Sequence, residues 1–208
     1  MRKRFFKISI ILFLLILFLS INIKYYVSAI SNDLKENIFR LHIIANSNSE
    51  KDQELKLKVR DSIISYMKKI SEKCEKKEDI IKQVKIHIKD LEDISNNIIT
   101  ENGFDYKVNI EIGEFYFPTK HYGNISMPAG TYDALKIKIG DAKGENWWCS
   151  LFPPLCFTNI SSGIINEEAK NNLEKNLENE EYSIITSTST SYKFKFKLIE
   201  ILNLKNIL

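Results

Sequence analysis

Residues 39–61 read FRLHIIANSNSEKDQELKLKVRD, and this stretch predicts a strand, a turn and the start of a helix. Its first seven residues are dense in strand formers. Residues 46–49, Asn-Ser-Asn-Ser, are typical of turns and helix caps. Ser49 followed by Asp52 resembles a capping box with a shorter acid, so we predict a helix that begins near Glu50.

Apolar residues recur at helical spacing in two consecutive segments after this turn. The first helix presents Leu55, Val59, Ile63, Tyr66, Met67 and Ile70, and the second, from about 78 to 99, presents Ile80, Val84, Ile88, Leu91, Ile94 and Ile98. Asn102-Gly103 ends the second helix because glycine readily takes the left-handed conformation of a helix cap. The pattern predicts a two-helix hairpin, and residues 166–177 form a weaker third helical pattern.

Three segments alternate between apolar and polar residues, as do strands with one buried and one solvent-exposed face. They are residues 104–112, 135–139 and 192–198. Half-wet strands favour an antiparallel or mixed sheet with helices on one face over a buried parallel sheet. We therefore predict an α+β fold in which the two-helix hairpin packs on a small, mostly antiparallel sheet. Residues 117–130 and 140–157 are predicted to be loops, the second rich in aromatic residues, proline and cysteine.

The first 29 residues have the three parts of an export signal. A basic start precedes a nearly unbroken apolar run over residues 8–23, and Val27-Ser28-Ala29 follows with the small or β-branched residues of a cleavage site. The run is slightly shorter than the roughly 20 residues of a transmembrane helix, so a cleaved signal peptide and an uncleaved anchor both remain open. In either case the positive end stays in the cytoplasm. We expect residues 1–29 to be the signal or anchor and residues 30–208 to form a single domain outside.

Charge is unevenly distributed along the chain. The formal net charge is +3, but five of the 30 Lys and Arg residues and none of the 27 Asp and Glu residues lie within the first 29 positions. Beyond them lysine is interleaved with acidic residues, which is typical of a solvated surface. Because no clustered basic footprint is present, the sequence gives no support for nucleic-acid binding.

Residues that could carry out chemistry are few. His42, His87 and His121 are the three histidines and lack the spacing of a zinc site, so we expect no metal and no cofactor. Outside the cytoplasm Cys149 and Cys156 can form a disulfide across a reversal of the chain, and two free thiols packed as small hydrophobic residues are the alternative. A hydrolase that uses one of these thiols with His121 is a further hypothesis, although spacing does not show that they meet.

Residues 147–157 concentrate both tryptophans together with two phenylalanines, two prolines and two cysteines. Bulky aromatic residues dominate both protein cores and the centres of protein interfaces. The segment could therefore cap the sheet, held by a disulfide, or present aromatic side chains to a protein partner. Both interpretations remain open.

Four blocks span nearly all of the predicted exported part. They lie at 40–61, at 117–135 with FPTK and YDAL, at 144–157 with GENWWCSLFPPLCF, and at 194–200 with FKFKLIE. The signature residues of the first block are Arg40, His42, Asn46, Ser47, Asp52, Gln53, Lys56, Arg60 and Asp61. In this order the blocks resemble the stage II sporulation protein R family. Asn48 departs from the family, which usually has Asp there, and residues 158–191 match no specific pattern.

The resemblance implies a signalling protein of endospore formation that is not an enzyme. Such proteins are exported from the forespore into the space between the two membranes. They are needed there for activation of a membrane-embedded protease of the mother cell, which processes pro-sigma-E. The external face of that protease is thus the expected partner, and residues 8–23 contact the membrane if the leader stays uncleaved. An extracytoplasmic thiol-dependent hydrolase or cell-wall-associated enzyme is the alternative, and a passive wall-binding module is a third hypothesis.

We expect the partner to contact a surface formed by the segments 118–132 and 147–157. The expected contact residues are Pro118, Thr119, Tyr122, Tyr132, Asn146, Trp147, Trp148, Phe152, Pro153 and Pro154. Cys149 and Cys156 would hold the second segment by a disulfide, and Trp147 is the residue whose loss should affect signalling most.

Overall fold

The computed structural model describes residues 2–122, 125–156 and 167–186. In chain order its elements are α1 (Arg2–Asn37), β1 (Phe39–Ile44), α2 (Glu50–Ser71), α3 (Lys77–Ile86), α4 (Ile88–Glu101), β2 (Val108–Phe117), β3 (Lys120–Tyr122), β4 (Ile125–Met127), β5 (Gly130–Ile139), β6 (Asn146–Phe152), α5 (Glu167–Asn176) and α6 (Asn179–Thr186). The third helical pattern corresponds to α5. The alternating segment at 192–198 lies outside the described residues.

Four strands form one sheet in the order β2-β5-β1-β6. Strand β2 pairs with β5 and β1 pairs with β6 in antiparallel orientation, while β1 and β5 run parallel. Strands β3 and β4 form a separate antiparallel hairpin. The prediction of a mixed helix and sheet fold with a small, mostly antiparallel sheet is confirmed.

The strand, turn and helix predicted at 39–61 are all present. Strand β1 ends at Ile44, and α2 begins at Glu50. The hydroxyl of Ser49 accepts a hydrogen bond from the backbone N–H of Asp52 at 3.2 Å, which is the predicted helix cap. A cap of this kind stabilises a helix by about 1 kcal/mol.

One face of the sheet, which we call the helical face, is covered by α2, α3 and α4. Apolar side chains from these helices and from the strands fill the space between the two layers. The buried residues include Phe39, Leu41, Ile43, Leu55, Val59, Ile63, Met67, Ile80, Val84, Leu91, Leu135 and Ile137. Four of the six residues in the predicted stripe of α2 are therefore core residues.

The other face, which we call the opposite face, is covered at one end by a second group of elements. These are the last turns of α1, the β3–β4 hairpin, α5 and α6. Their buried residues pack with strand residues to form a second core that contains Leu34, Ile38, Phe117, Tyr122, Ile125, Met127, Tyr132, Ala134, Leu155, Leu173, Leu177 and Ile185. The sheet thus has a core on each side.

The predicted second helix is in fact two helices. The backbone leaves helical geometry at His87, with φ −101° and ψ 17°, and this separates α3 from α4. The Nδ1 atom of His87 lies 2.9 Å from the hydroxyl oxygen of Tyr66 and 2.7 Å from a carboxylate oxygen of Asp90, and these contacts hold the break against α2. The predicted two-helix hairpin is therefore a layer of three helices. Its predicted end is confirmed, because α4 ends at Glu101 and Gly103 has a φ of 80°.

Two segments that the sequence predicts as loops contain strands. The segment 117–130 includes β3 and β4, and the aromatic half of 140–157 is β6. Strand β6 is hidden in the sequence because its last four residues are all buried, which removes the alternation of apolar and polar residues. The predicted aromatic loop is thus a strand at the end of the four-stranded order, followed by a turn.

Helix α1 contains a window, Arg4–Asn22, that is long and apolar enough to cross a membrane, a criterion that signal sequences also meet. The helix continues without interruption past residue 29 to Asn37. Near its end Leu34 is buried in the core of the opposite face. The last part of α1 therefore belongs to the folded domain, whereas its first part is compatible with a signal sequence or a membrane anchor.

Candidate functional site

Signature residues of the first block form a hydrogen-bonded brace at the β1–α2 turn. The Oδ2 atom of Asp52 accepts hydrogen bonds from the Asn46 amide at 2.9 Å and from the Ser47 hydroxyl at 2.5 Å. The Gln53 amide donates to the Ser47 carbonyl at 2.8 Å, and Lys56 Nζ donates to Gln53 at 2.5 Å. Burial raises the pKa of Asp52, but the hydrogen bonds outweigh burial and leave that pKa below its ordinary value.

The brace also reaches the turn between β5 and β6. The Asn46 side-chain oxygen accepts a hydrogen bond from the backbone N–H of Asp141 at 2.9 Å, and the Lys143 N–H donates to the Asn46 carbonyl at 3.0 Å. A side chain at Gly144 would overlap the backbone carbonyl of Ser47. These contacts fix the position of one turn relative to the other, so this part of the signature has a structural role.

Arg40 is a fully buried residue of β1 that points to the opposite face. Its Nη2 donates to the Tyr122 hydroxyl at 2.9 Å, and its guanidinium carbon lies 4.4 Å from the ring centre of Phe117 and 5.2 Å from that of Tyr132. Burial lowers the pKa of Arg40. Within the described part of the chain no carboxylate forms an ion pair with Arg40, and its Nη1 has no hydrogen-bond partner.

His42 is the next residue of β1 on the same face and is only 7% exposed. Its Nε2 lies 2.6 Å from Oδ1 of Asn146, and its ring is stacked on Trp148 with centres 5.5 Å apart. Because an amide oxygen only accepts hydrogen bonds, Nε2 carries the proton and neutral His42 has a lone pair at Nδ1. That Nδ1 has no partner among the described residues. Burial lowers the pKa of His42, and the positive charges of Lys136 and Arg40 add to this effect.

Two lysines near Arg40 and His42 lie over aromatic rings. Lys120 Nζ is 3.9 Å from the ring centre of Trp148, and Lys136 Nζ is 4.5 Å from that of Phe115. The Trp148 Nε1 atom is buried, and no described residue accepts its hydrogen. We name this region the basic-aromatic face and define it by Phe115, Lys120, Lys136, His42 and Trp148, with Arg40 beneath them.

The two tryptophans point to different sides of the sheet. Trp147 packs against the core of the helical face, where the Arg60 guanidinium lies 5.2 Å from its ring centre. Arg60 also forms an ion pair with Asp61 at 2.7 Å. Trp148 packs against the second core instead. The expected contact surface is therefore divided, with Trp147 on one side and Trp148 on the other.

Burial separates the remaining expected contact residues. Tyr122, Tyr132, Phe152 and Pro153 are buried, and the Tyr122 hydroxyl also donates to the Trp148 carbonyl at 3.0 Å. Thr119 and Asn146 are exposed, and Pro118, Trp147, Trp148 and Pro154 are half-buried. Only the second group can meet a partner without rearrangement of the domain.

Cys149 and Cys156 are joined by a disulfide, with Cα atoms 5.5 Å apart. Cys74 is a free, half-buried thiol, and burial raises its pKa, which disfavours the reactive thiolate. No group of three or more histidine, cysteine, aspartate and glutamate residues with the geometry of a metal site occurs in the described ranges.

The expected contact residues did not include Lys120, Lys136 and Phe115, although Lys120 lies within the expected contact segment 118–132. A signal for Lys136 was present, because the alternation over 135–139 places it on the face opposite Leu135. No comparable signal exists for Lys120, since its position over Trp148 depends on how the β3–β4 hairpin folds back. The basic-aromatic face is therefore a product of tertiary structure.

Comparisons with known proteins agree with the resemblance seen in the sequence. The family model described as stage II sporulation protein R matches residues 35–162. Stage II sporulation protein R of Bacillus subtilis (strain 168) is 34% identical over 130 residues, which cover 62% of this chain and 58% of that relative. The match thus spans less than two thirds of the relative's length, and no solved structure matches the chain significantly. The matched region contains the brace, the disulfide and the basic-aromatic face. Because the family model matches more than half of the chain, the chain belongs to the stage II sporulation protein R family.

Proposed function

We propose that this chain is exported from the forespore and activates a membrane-embedded protease of the mother cell, which then processes pro-sigma-E. The protein acts as a ligand for the external face of the protease and carries out no chemistry itself. The observation that carries the proposal is the family match over residues 35–162. The apolar helix that precedes this region supports export, because it has the length and composition of a signal sequence.

The domain is suited to the role of a secreted ligand. A disulfide joins Cys149 to Cys156, and such bonds persist outside the cytoplasm. The bonded pair leaves no thiolate there for a thiol-dependent hydrolase, while Cys74 is half-buried with a raised pKa. These features favour binding over catalysis.

Activation by a ligand requires that it bind the active state of the protease more tightly than the inactive state. A tenfold difference in affinity corresponds to about 1.4 kcal/mol and shifts the equilibrium tenfold. Of the expected contact residues, the surface that we propose for this contact retains Trp148 and the exposed or half-buried Pro118, Thr119 and Asn146. Trp147 lies against the helical core and contributes through packing.

Reconstitution in a non-sporulating bacterium tests the proposal. The full chain, the candidate protease and the sigma-E precursor are co-expressed, and cleavage of the precursor is followed by immunoblot. We expect cleavage with the full chain, none when residues 1–29 are removed, and recovery when an unrelated signal peptide replaces them. Cleavage by the form without a leader would contradict the requirement for export. Absence of cleavage despite verified secretion and folding would contradict the activating role.

A further inference from the structure

We propose that the basic-aromatic face binds an acidic segment of the protein that this chain activates. The inference rests on the proposed function for the identity of the partner, but the chemistry of the face is independent of it. Two observations carry the inference: an excess of positive charge on this face, and a group of buried polar atoms without partners directly beneath it.

The positive charge is incompletely neutralised. Lys138 is paired with Glu111 at 2.5 Å. Lys120 and Lys136 instead lie over aromatic rings, and neither forms an ion pair within the described residues. A lysine over an aromatic ring keeps its charge and remains able to attract a carboxylate.

The buried charge of Arg40 strengthens this attraction. Arg40 has no described carboxylate near it, and it is surrounded by aromatic rings. Charge in such a low-dielectric environment is screened less than charge at an open surface. Arg40 therefore adds to the positive potential of the face, although a partner that docks on the surface does not touch it.

All three buried side-chain atoms that lack a partner in the described ranges belong to this one region. They are Nη1 of Arg40, Nδ1 of His42 and Nε1 of Trp148. An unsatisfied buried polar group costs about 1–3 kcal/mol, so the clustering of these atoms distinguishes this region from the rest of the described domain. Trp148 Nε1 is a donor within the face and suits a ligand rich in acceptor oxygens, whereas Arg40 acts through its charge.

Charge complementarity identifies the class of partner. The helices α2, α3 and α4 together carry as many acidic as basic residues, so the helical side has no net excess of positive charge. Carboxylates that approach beside Trp148 can pair with Lys120 and Lys136 while their chain packs on the indole and phenyl rings. An acidic protein segment supplies both the carboxylates and the apolar contact, and we therefore expect acidic residues in the external part of the partner.

The test compares two double variants of equal charge. Lys120→Glu with Lys136→Glu changes the face, and Lys82→Glu with Lys85→Glu changes exposed residues of α3 by the same amount. Each secreted protein is first checked for folding by circular dichroism. Binding to a fluorescent poly-glutamate peptide is then measured by anisotropy, and precursor cleavage is measured by the co-expression assay.

We expect the face variant to lose about tenfold in peptide affinity, because two lysines that would pair with peptide carboxylates are replaced by glutamates that repel them. We also expect it to lose precursor cleavage. The α3 variant should retain most of both. Equal losses in the two variants would show an effect of net charge alone and would overturn the inference, as would full cleavage with the face variant. If wild-type protein binds the peptide through this face but causes no cleavage, the proposed function fails while the acid-binding face stands.

The competing hypothesis is that the chain's own Glu200, the one acidic side chain beyond residue 186, binds this face. A Glu200→Gln variant that binds the peptide several-fold more tightly would show that this residue occupies the face and would overturn the inference. Unchanged peptide affinity in Glu200→Gln, with cleavage retained, supports a partner from outside the chain. Lys120→Gln with Lys136→Gln serves as a milder pair if charge reversal prevents folding.

Discussion

The two faces of the sheet are built from different chemistry. The helical face is filled by aliphatic residues from three helices, and the disulfide lies within the same core. The opposite face contains a buried arginine and a buried histidine, beside a half-buried tryptophan. Burial of apolar surface drives folding, whereas buried polar groups without partners oppose it. The helical face therefore contributes mainly stability, whereas the opposite face combines an apolar core with the polar groups that we propose for recognition.

The largest effect should come from an apolar deletion on the helical face. Leu41→Ala removes a fully buried side chain of β1 and should lower the free energy of unfolding by about 2–5 kcal/mol. Urea denaturation of the secreted protein measures this change. Leu57→Ala, at a position that is 38% exposed, is the control and should have a small effect. A loss below about 1 kcal/mol for Leu41→Ala would mean that the helical face is not closely packed.

Loss of the disulfide should have the next largest effect. Replacing Cys149 and Cys156 together by serine frees a short loop and should cost roughly 2.5 kcal/mol by the loop-entropy relation. The change is read from the thermal midpoint, with Cys74→Ser as the control. Mass spectrometry of the alkylated wild-type protein is the direct check. Alkylation of Cys149 and Cys156 would show that both are free thiols and would support the alternative of a thiol-dependent hydrolase.

Arg40→Met tests the opposite face by removing its buried charge. Replacement of a buried ion by an apolar residue of similar volume is often neutral or stabilising, so the free energy of unfolding should change little or rise. Precursor cleavage should fall, because the positive potential of the basic-aromatic face decreases. The contrast with Leu41→Ala, one residue along the same strand, separates the roles of the two faces. A loss above about 3 kcal/mol would reveal a carboxylate partner of Arg40.

The smallest effect concerns the pH dependence of stability. Burial holds the pKa of His42 below its ordinary value of about 6.5, so the unfolded chain takes up a proton that the folded protein does not. Stability should therefore decrease as pH falls from 7 to 5, and His42→Asn should show a shallower decrease over the same range. The pKa of Asp52 lies below that of an ordinary carboxyl, so its titration does not contribute between pH 7 and pH 5. Identical pH profiles for the two proteins would contradict a buried, neutral His42.

Much of the helical side could be predicted from sequence because its signals are local. The cap at Ser49 and the stripe of α2 follow from spacing alone, and both are present. The break at His87 could not be predicted, since its contact with Tyr66 joins residues of different helices. Strand β6 was not predicted because its last four residues are all buried, which removes the alternation of apolar and polar residues.

The opposite face was less predictable because its main contacts join residues far apart in the chain. Arg40 was identified only as a family signature residue, and the hydrogen-bond partner of His42 could not be named from the sequence. Their contacts with Tyr122 and Asn146 connect positions separated by 82 and 104 residues. A single sequence contains no periodicity that reports such pairs.

The path of α1 has a consequence for the export that we propose. The helix docks on the same side of the sheet as the basic-aromatic face, and its backbone is continuous from the apolar window to Asn37. The 15 residues after Asn22 rise about 22 Å, at 1.5 Å per residue. If residues 1–29 are not removed and the apolar window stays in a membrane, this helical segment would hold the basic-aromatic face at a fixed distance from that membrane. Cleavage after residue 29 would separate the domain from this membrane segment, and the basic-aromatic face could then reach the opposite membrane.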